Sequence, residues 1–491
     1  MPADLLKNPR YSAPDLGLPM PDDLHAVSAC LPLWAHNIGY EEADPEVISA
    51  LQAAYPRFCL HPLVKQLCVT KINSDGRQGL PFASVKAAHR AIEYVRAYGV
   101  ESAIVVELAE QSACGVSVVE ADFGKLKQYW QHAGENVSSR VAEQILAGDI
   151  VTSDQTDARV AVRVRVAELQ NADVGDVFLF PSGMAAIACA WRTIQQFNAG
   201  STCQFGFPYV DTLKIQQRFP SAEHTFFPVG TQQDIEKLQQ LCKTTSPVAV
   251  FCEVPANPLL VTPDVRRLRE LADEFGFLLI IDDTLGACCN LNVLPFADLV
   301  VTSLTKFFSG YGNVLAGSLV VNTAGRHAGE LRKLIAADFE ELLADCDVEV
   351  LFRNSADLER RIATINDNAD RLVRYLADHS AVDAVCYPDR QSDNYGAVAK
   401  SSGGGGGLLS IVLKNPEQTT AAVFDRLEVC KGPNLGTNFT LCCPYTILAH
   451  YTELDFAEEC GVSRWLLRIS VGTEPYQVLE QRFADALSVV Q

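Results

Sequence analysis

Ala297-Asp298-Leu299-Val300-Val301-Thr302-Ser303-Leu304-Thr305-Lys306-Phe307-Phe308-Ser309-Gly310 decides how the chain is read. Its apolar run reads as a buried strand that ends in two hydroxyls and a lysine. An isolated lysine in such a place usually reaches solvent as the strand exits, because burying an unpartnered ammonium is costly. Three other stretches change that expectation. Asp176–Phe180 is a short apolar strand running into the turn Pro181-Ser182-Gly183-Met184 and a helix over 185–197. That geometry aims backbone N–H groups at an anion. Pro247–Cys252 is a strand closed by Glu253-Val254-Pro255-Ala256-Asn257-Pro258, and Phe277–Ile281 is one closed by Asp282-Asp283-Thr284. Apolar strands alternating with helices, such as the one over 264–275, predict a parallel sheet covered on both faces. Ligands of such sheets bind beyond the carboxyl ends of the strands, where all four motifs stand.

The rest of the composition narrows the function. A 491-residue chain with 48% hydrophobic and 20% charged residues is expected to fold into two or three domains. A net charge of -20 argues against a nucleic-acid or anionic-membrane partner. No apolar run reaches the roughly 20 residues of a membrane span. The 16 cysteines show no metal-ligand spacing and read as reduced, buried thiols of a cytoplasmic protein; no metal site is expected.

From the N-terminus, residues 1–60 read as a proline-rich arm and 61–160 as an α/β insertion with helices. The large, ligand-binding domain spans 161–326, linking helices 327–378, and a smaller α+β domain 379–491. The run Gly403–Gly407 before the strand Leu408–Leu413 reads as a flexible tip, or as a place where backbone approaches a ligand.

One cofactor would use all four motifs. Pyridoxal phosphate needs an amine for a Schiff base, an acid to keep its pyridinium nitrogen protonated, and hydroxyls and amides for its phosphate. Lys306, Asp282 and the Ser182-Gly183-Met184 turn with Ser303 and Thr305 supply these.

The order Ser-Gly-Met, Asn-Pro, Asp-x-Thr, Ser-x-Thr-Lys, Leu-Leu-Ser and Leu-Arg-x-Ser-Val-Gly resembles the cystathionine γ-synthase family, pyridoxal-phosphate enzymes of cysteine and methionine metabolism. Tyr55-Pro56-Arg57-Phe58, Asp211-Thr212-Leu213 and Gly436-Thr437-Asn438-Phe439-Thr440 are similar to its fungal branch. The resemblance implies the aspartate-aminotransferase-like fold (fold type I). It implies that Lys306 holds the cofactor and shuttles protons, with Tyr209 as the aromatic ring over it. Asp282 faces the ring nitrogen, Asn257 the ring hydroxyl, and Arg468 the substrate carboxylate, bidentately. It further implies a homodimer with shared active sites, assembled into a homotetramer.

Two positions depart from the family pattern. The neighbouring subunit's Tyr-x-Arg, which clamps the phosphate, has two candidates. Ser138-Ser139-Arg140 has the better spacing before Ser182 but no tyrosine. Tyr55 and Arg57 have the letters but stand far upstream. Spacing favours Arg140. On the substrate side, Asn434-Leu435-Gly436 replaces Ser-Leu-Gly, which bears on the nucleophile. The implied reaction is γ-substitution on an O-acyl-L-homoserine through a vinylglycine ketimine, with cysteine attacking to give cystathionine. A carbon or amine nucleophile comes second, and a γ-lyase third.

Overall fold

The computed structural model describes residues 3–53, 55, 57–108, 113–219 and 223–490. Pro56 of the upstream clamp motif lies outside them. Three sheets organise these residues.

The first sheet belongs to the insertion and is antiparallel, with β1 (Arg77–Phe82), β2 (Ile104–Glu107) and β3 (Cys114–Val119) in the order β1-β3-β2. The second has seven strands: β4 (Val177–Phe180), β5 (Thr202–Phe205), β6 (His224–Phe227), β7 (Ala249–Glu253), β8 (Leu278–Asp282), β9 (Leu299–Thr302) and β10 (Gly317–Val321). Their order is β4-β10-β9-β8-β7-β5-β6. β10 runs antiparallel to both its neighbours and the other pairings are parallel. The six remaining strands therefore point one way, and their carboxyl ends share one edge. Helices cover both faces, which is why these strands are almost wholly buried and read as apolar runs. The third sheet is the small domain, with β11 (Val382–Cys386), β12 (Leu408–Leu413), β13 (Cys430–Lys431), β14 (Leu441–Pro444) and β15 (Leu467–Ser470) in the order β11-β12-β15-β14-β13. The helices Asp345–Asn354 and Leu358–Ala377 connect it to the large domain.

Two features differ from what the sequence suggests, and a third adds to it. The large-domain core begins earlier than residue 161, because the helix Asp157–Gln170, capped by Thr156, buries Ala158, Val162 and Val166 against that sheet. The five glycines are not a mobile tip. Gly404 to Gly407 are buried, and a Cβ on Gly404, Gly405 or Gly407 would stand 2.3–2.5 Å from Asn366, Tyr387 or Ile365. Only residues without side chains fit that passage. The arm packs on its own chain, with Leu5, Met20 and Cys30 against Cys430, Phe439 and Leu441, and Trp34 stacked on Trp465 at 5.6 Å.

Candidate active site

The shared strand edge opens into a cavity of about 130 Å³ between the large and small domains. β9 delivers Lys306 to its floor. The lysine is 8% exposed, and its Nζ donates to the Tyr55 hydroxyl at 2.6 Å and to Asn434 Oδ1 at 2.7 Å. Both partners are uncharged donors or acceptors in their ordinary forms, so no carboxylate fixes the ammonium. Burial holds the Lys306 amine below the usual lysine range, opposed by Tyr55 and helped by Arg468 and Arg57. Burial resists ionisation of Tyr55, but the cations Lys306 and Arg57 outweigh it and bring the phenol down to about 8. Burial thus favours the neutral amine of Lys306, which suits a lysine that must act as a free amine.

Ser182 caps the helix Gly183–Phe197, its hydroxyl accepting from Ala185 N at 3.1 Å and donating to Gly134 O at 2.8 Å. The unpaired amides of that helix start face the cavity. A Cβ on Gly183 would stand 2.7 Å from the Ser303 Cβ, and one on Gly317 2.3 Å from the Ser182 carbonyl, so two glycines bring the turn and the Ser303 loop together across β10. Ser303 lines the resulting cradle, half-buried. Thr305 lines it too, but its hydroxyl is engaged by the Ala316 carbonyl at 3.2 Å and amide at 3.0 Å. It buttresses the loop rather than offering a free donor. Arg57 and Tyr209 close the same side. Arg57 donates to the Tyr209 hydroxyl at 2.7 Å and to Asp211 Oδ2 at 2.5 Å, and Asp211 also accepts from His132 Nδ1 at 2.9 Å. Burial opposes the Asp211 anion, yet Arg57 and His132 hold it at about 2.

Asp282 ends β8 and accepts from the Thr284 amide at 2.8 Å. Glu253 ends β7, in register beside it. Glu253 accepts from the Tyr209 and Asn257 amides at 2.5 and 3.1 Å. Burial pushes Asp282 up to about 6; burial and the neighbouring Asp282 push Glu253 up to about 8, and burial takes Asp283 to about 7. Asp282 and Glu253 line the cavity, where a bound cation would favour their anions, whereas Asp283 lies outside the lining and accepts from Gln170 at 2.9 Å. On the small-domain wall, β15 presents Arg468, whose Nη2 donates to Pro433 O at 2.8 Å and whose Nη1 donates to Asn257 Oδ1 at 3.3 Å. Its guanidinium lies 4.8 Å from the Tyr445 ring centroid, and Tyr445 also bonds Asn257 at 3.2 Å. An arginine held only by neutral partners is available to a carboxylate.

The cavity thus gathers Ser182, Gly183, Met184, Tyr209, Asn257, Asp282, Ser303, Thr305, Lys306, Tyr55, Arg57 and Arg468, with Asn434 on the lysine. It does not gather Arg140. That arginine donates to Asn313 O at 2.7 Å and pairs with Asp347 at 3.2 Å outside its own chain's cavity, whereas Tyr55 and Arg57 line it. Sequence reasoning missed Glu253, Tyr445, Tyr40 and Glu41, all in the lining. Glu253 could have been found, since it is the last strand residue before the Val254-Pro255 turn, as Asp282 is of its own strand.

A buried amine, a strand-end acid raised by burial, a helix N-terminus beside an arginine, and an aromatic ring among them fit pyridoxal phosphate. They define the site of a pyridoxal-phosphate enzyme of fold type I. Residues 151–488 match the Cys/Met metabolism PLP-dependent enzyme family. The chain is 32% identical to the cystathionine gamma-synthase of Neurospora crassa, over 97% of this chain and 98% of that one. It is 33% identical to the cystathionine gamma-synthase-like enzyme iboG2 of Amanita muscaria, over 97% and 96%. Its fold matches crystalline cystathionine gamma synthase from Xanthomonas oryzae pv. oryzae in complex with aminoacrylate and cysteine, with a TM-score of 0.60 and 23% identity, covering 68% of this chain and 86% of that one. The chain belongs to the Cys/Met metabolism PLP-dependent enzymes, and its cofactor is pyridoxal phosphate.

The raised acids make a prediction about the cofactor-free protein. An unfolded carboxylate titrates near ~4. The folded state therefore holds extra protons from about pH 4 until each group's own value, and the stability linked to Asp282 falls as pH rises through about 6. Asp282→Asn removes that loss. Its melting temperature without cofactor, relative to wild type, is expected to rise between pH 5 and 7.5; a pH-independent difference would contradict the burial of Asp282.

Proposed function

We propose that the enzyme catalyses γ-substitution on an O-acyl-L-homoserine with L-cysteine as nucleophile, giving cystathionine. The observation that carries this reading is the pairing of Lys306, poised as an amine, with Arg468 on the facing wall of one cavity that continues into apolar surface at Tyr40, Phe58, Leu448 and Ala449. Similarity over nearly full length to the cystathionine gamma-synthases of Neurospora crassa and Saccharomyces cerevisiae supports the choice of nucleophile.

Bound pyridoxal phosphate supplies an electron sink at Cα of an amino acid. The chain's residues do the rest. Ser182, Gly183, Met184, Ser303 and Arg57 would hold the phosphate, Asp282 the ring nitrogen, and Asn257 the ring hydroxyl, with Tyr209 against the ring. Arg468 fixes the substrate carboxylate by a two-point contact, which orients Cα toward Lys306. Lys306 then removes the Cα proton and moves protons at Cβ, assisted by Tyr55. The γ-acyloxy group leaves as a carboxylate toward the apolar end, and the nucleophile enters there. The substrate is thus a small amino acid, with a second small molecule following it; the protein acts as a homodimer assembled into a homotetramer in the cytoplasm. Among the described residues, no helix is long and apolar enough to cross a membrane.

A carbon or amine nucleophile is the second reading. It is favoured by Asn434, whose amide oxygen sits on Lys306 where the family pattern has a serine. Incubation with O-acetyl-L-homoserine alone, with cysteine, and with acetoacetate, followed by mass spectrometry, separates the readings. Cystathionine supports the first, and a carbon-chain adduct without cystathionine supports the second. α-Ketobutyrate as the sole product in every mixture would overturn both in favour of a γ-lyase.

A further inference from the structure

We propose that Tyr445 is a positioning residue that ties the substrate-carboxylate arginine to the cofactor: its ring holds the face of the Arg468 guanidinium, and its hydroxyl fixes which way the Asn257 side-chain amide points. The inference rests on the proposed roles of Arg468 and Asn257 and is independent of the acyl group and the nucleophile.

The register of the small-domain sheet puts the tyrosine there. β14 runs antiparallel to β15, with Cys443 opposite Arg468. Side chains two residues apart on a strand share a face, and diagonal neighbours on that face lie within reach of an aromatic ring. Tyr445 stands two residues beyond Cys443, at the start of the helix Tyr445–His450, with its amide donating to Leu466 O at 3.2 Å. Its ring therefore meets Arg468, with 4.8 Å between the ring centroid and the guanidinium carbon. The ring is itself locked, being 3% exposed and packed with Phe207, Cys443 and Leu466.

Three buried side chains then brace one another. Asn257 Nδ2 donates to the Tyr445 hydroxyl at 3.2 Å, and Arg468 Nη1 donates to Asn257 Oδ1 at 3.3 Å. The Asn257 backbone is tied to Glu253 Oε2 at 3.1 Å, so its amide has two orientations to choose between. One gives Nδ2 to the hydroxyl and Oδ1 to the arginine; the other would set an N–H donor against a guanidinium, which has no acceptor. The hydroxyl decides for the first. The second N–H of Nδ2 is then the donor that the cofactor's ring hydroxyl would take. Arg468 is 6% exposed and held by Asn257 and by the Pro433 carbonyl at 2.8 Å, both neutral. A desolvated guanidinium without a carboxylate partner is where an aromatic face counts most. The Tyr445 ring steadies that plane while the arginine waits for a carboxylate.

Two variants separate the hydroxyl from the ring. Tyr445→Phe keeps the ring and frees the Asn257 amide to turn. Pyridoxal phosphate, titrated by absorbance into the cofactor-free protein, is expected to bind it about 5- to 10-fold more weakly, with KM for O-acetyl-L-homoserine within about threefold of wild type. Tyr445→Leu loses the ring as well. KM for O-acetyl-L-homoserine, and the dissociation constant of L-norvaline (which has no leaving group), are expected to rise by about 10- to 30-fold while kcat stays within about threefold. In an Asn257→Ala background, Tyr445→Phe is expected to cost no further cofactor affinity, because the hydroxyl acts through that amide. A role in packing alone would lower the melting temperature, with additive effects and no split between the Phe and Leu variants; that pattern overturns the proposal. Asn257→Ala and Arg468→Gln are the controls. If the first leaves cofactor affinity unchanged, or the second leaves norvaline affinity unchanged, the proposed role of that residue falls and the inference with it. If both controls weaken binding and neither Tyr445 variant does, the inference alone falls.

Discussion

Lys306→Ala is expected to lower turnover by about 10⁴-fold or more, the upper range for a positioned proton-transferring group, and to remove the covalent attachment point of the cofactor as well. The fold should survive. The substitution takes a desolvated cation out of a buried site, leaving Tyr55 and Asn434 facing a cavity that small molecules or water can enter. The melting temperature is therefore expected to change by only a few degrees, whereas the absorbance of the lysine-bound cofactor disappears. Activity within tenfold of wild type would refute the assignment of Lys306, because Lys306 is the lining's only lysine among the described residues.

The second large effect is at Asp282. Asp282→Asn is nearly isosteric and keeps an oxygen that can accept from Thr284 N, as Oδ1 does now. What it loses is the anion. Glu253, the neighbouring acid, is spent on the amides of Tyr209 and Asn257, so it cannot take over. A protonated ring nitrogen left without its counter-charge in a buried site costs about 3–5 kcal/mol, and turnover is expected to fall by about 10²- to 10⁴-fold while cofactor still attaches to Lys306. Steady-state kinetics at saturating cofactor measure this; unchanged turnover would place the ring elsewhere.

How much of this was legible in the chain follows from what is local and what is not. Lys306, Asp282, Ser182 and Asn257 each stand at the end of a short apolar strand, and a strand end in a parallel sheet has a predictable place. Arg468 was legible through its motif, although only the register of β15 against β12 and β14 shows it turned to the cavity. Which of the two arginines lines the chain's own cavity was not legible. Spacing to Ser182 measures distance along the chain, and the intervening insertion folds back so that the distant Arg57, rather than the nearer Arg140, arrives at the site. The five glycines misled for a related reason: composition cannot distinguish a solvated tip from a passage too narrow for any Cβ. Glu41 and Tyr40 lie on the arm helix Trp34–Glu41, whose only sequence signal is its aromatic residues, and nothing local links that helix to the cavity.

Every role assigned to these residues requires Lys306 to carry pyridoxal phosphate in this cavity. Borohydride reduction of the purified holoenzyme, followed by proteolysis and peptide mass spectrometry, tests it most directly. The pyridoxyl group is expected on the peptide containing Lys306 and on no other. Label on a different lysine, or none at all with the cofactor demonstrably present, would contradict it.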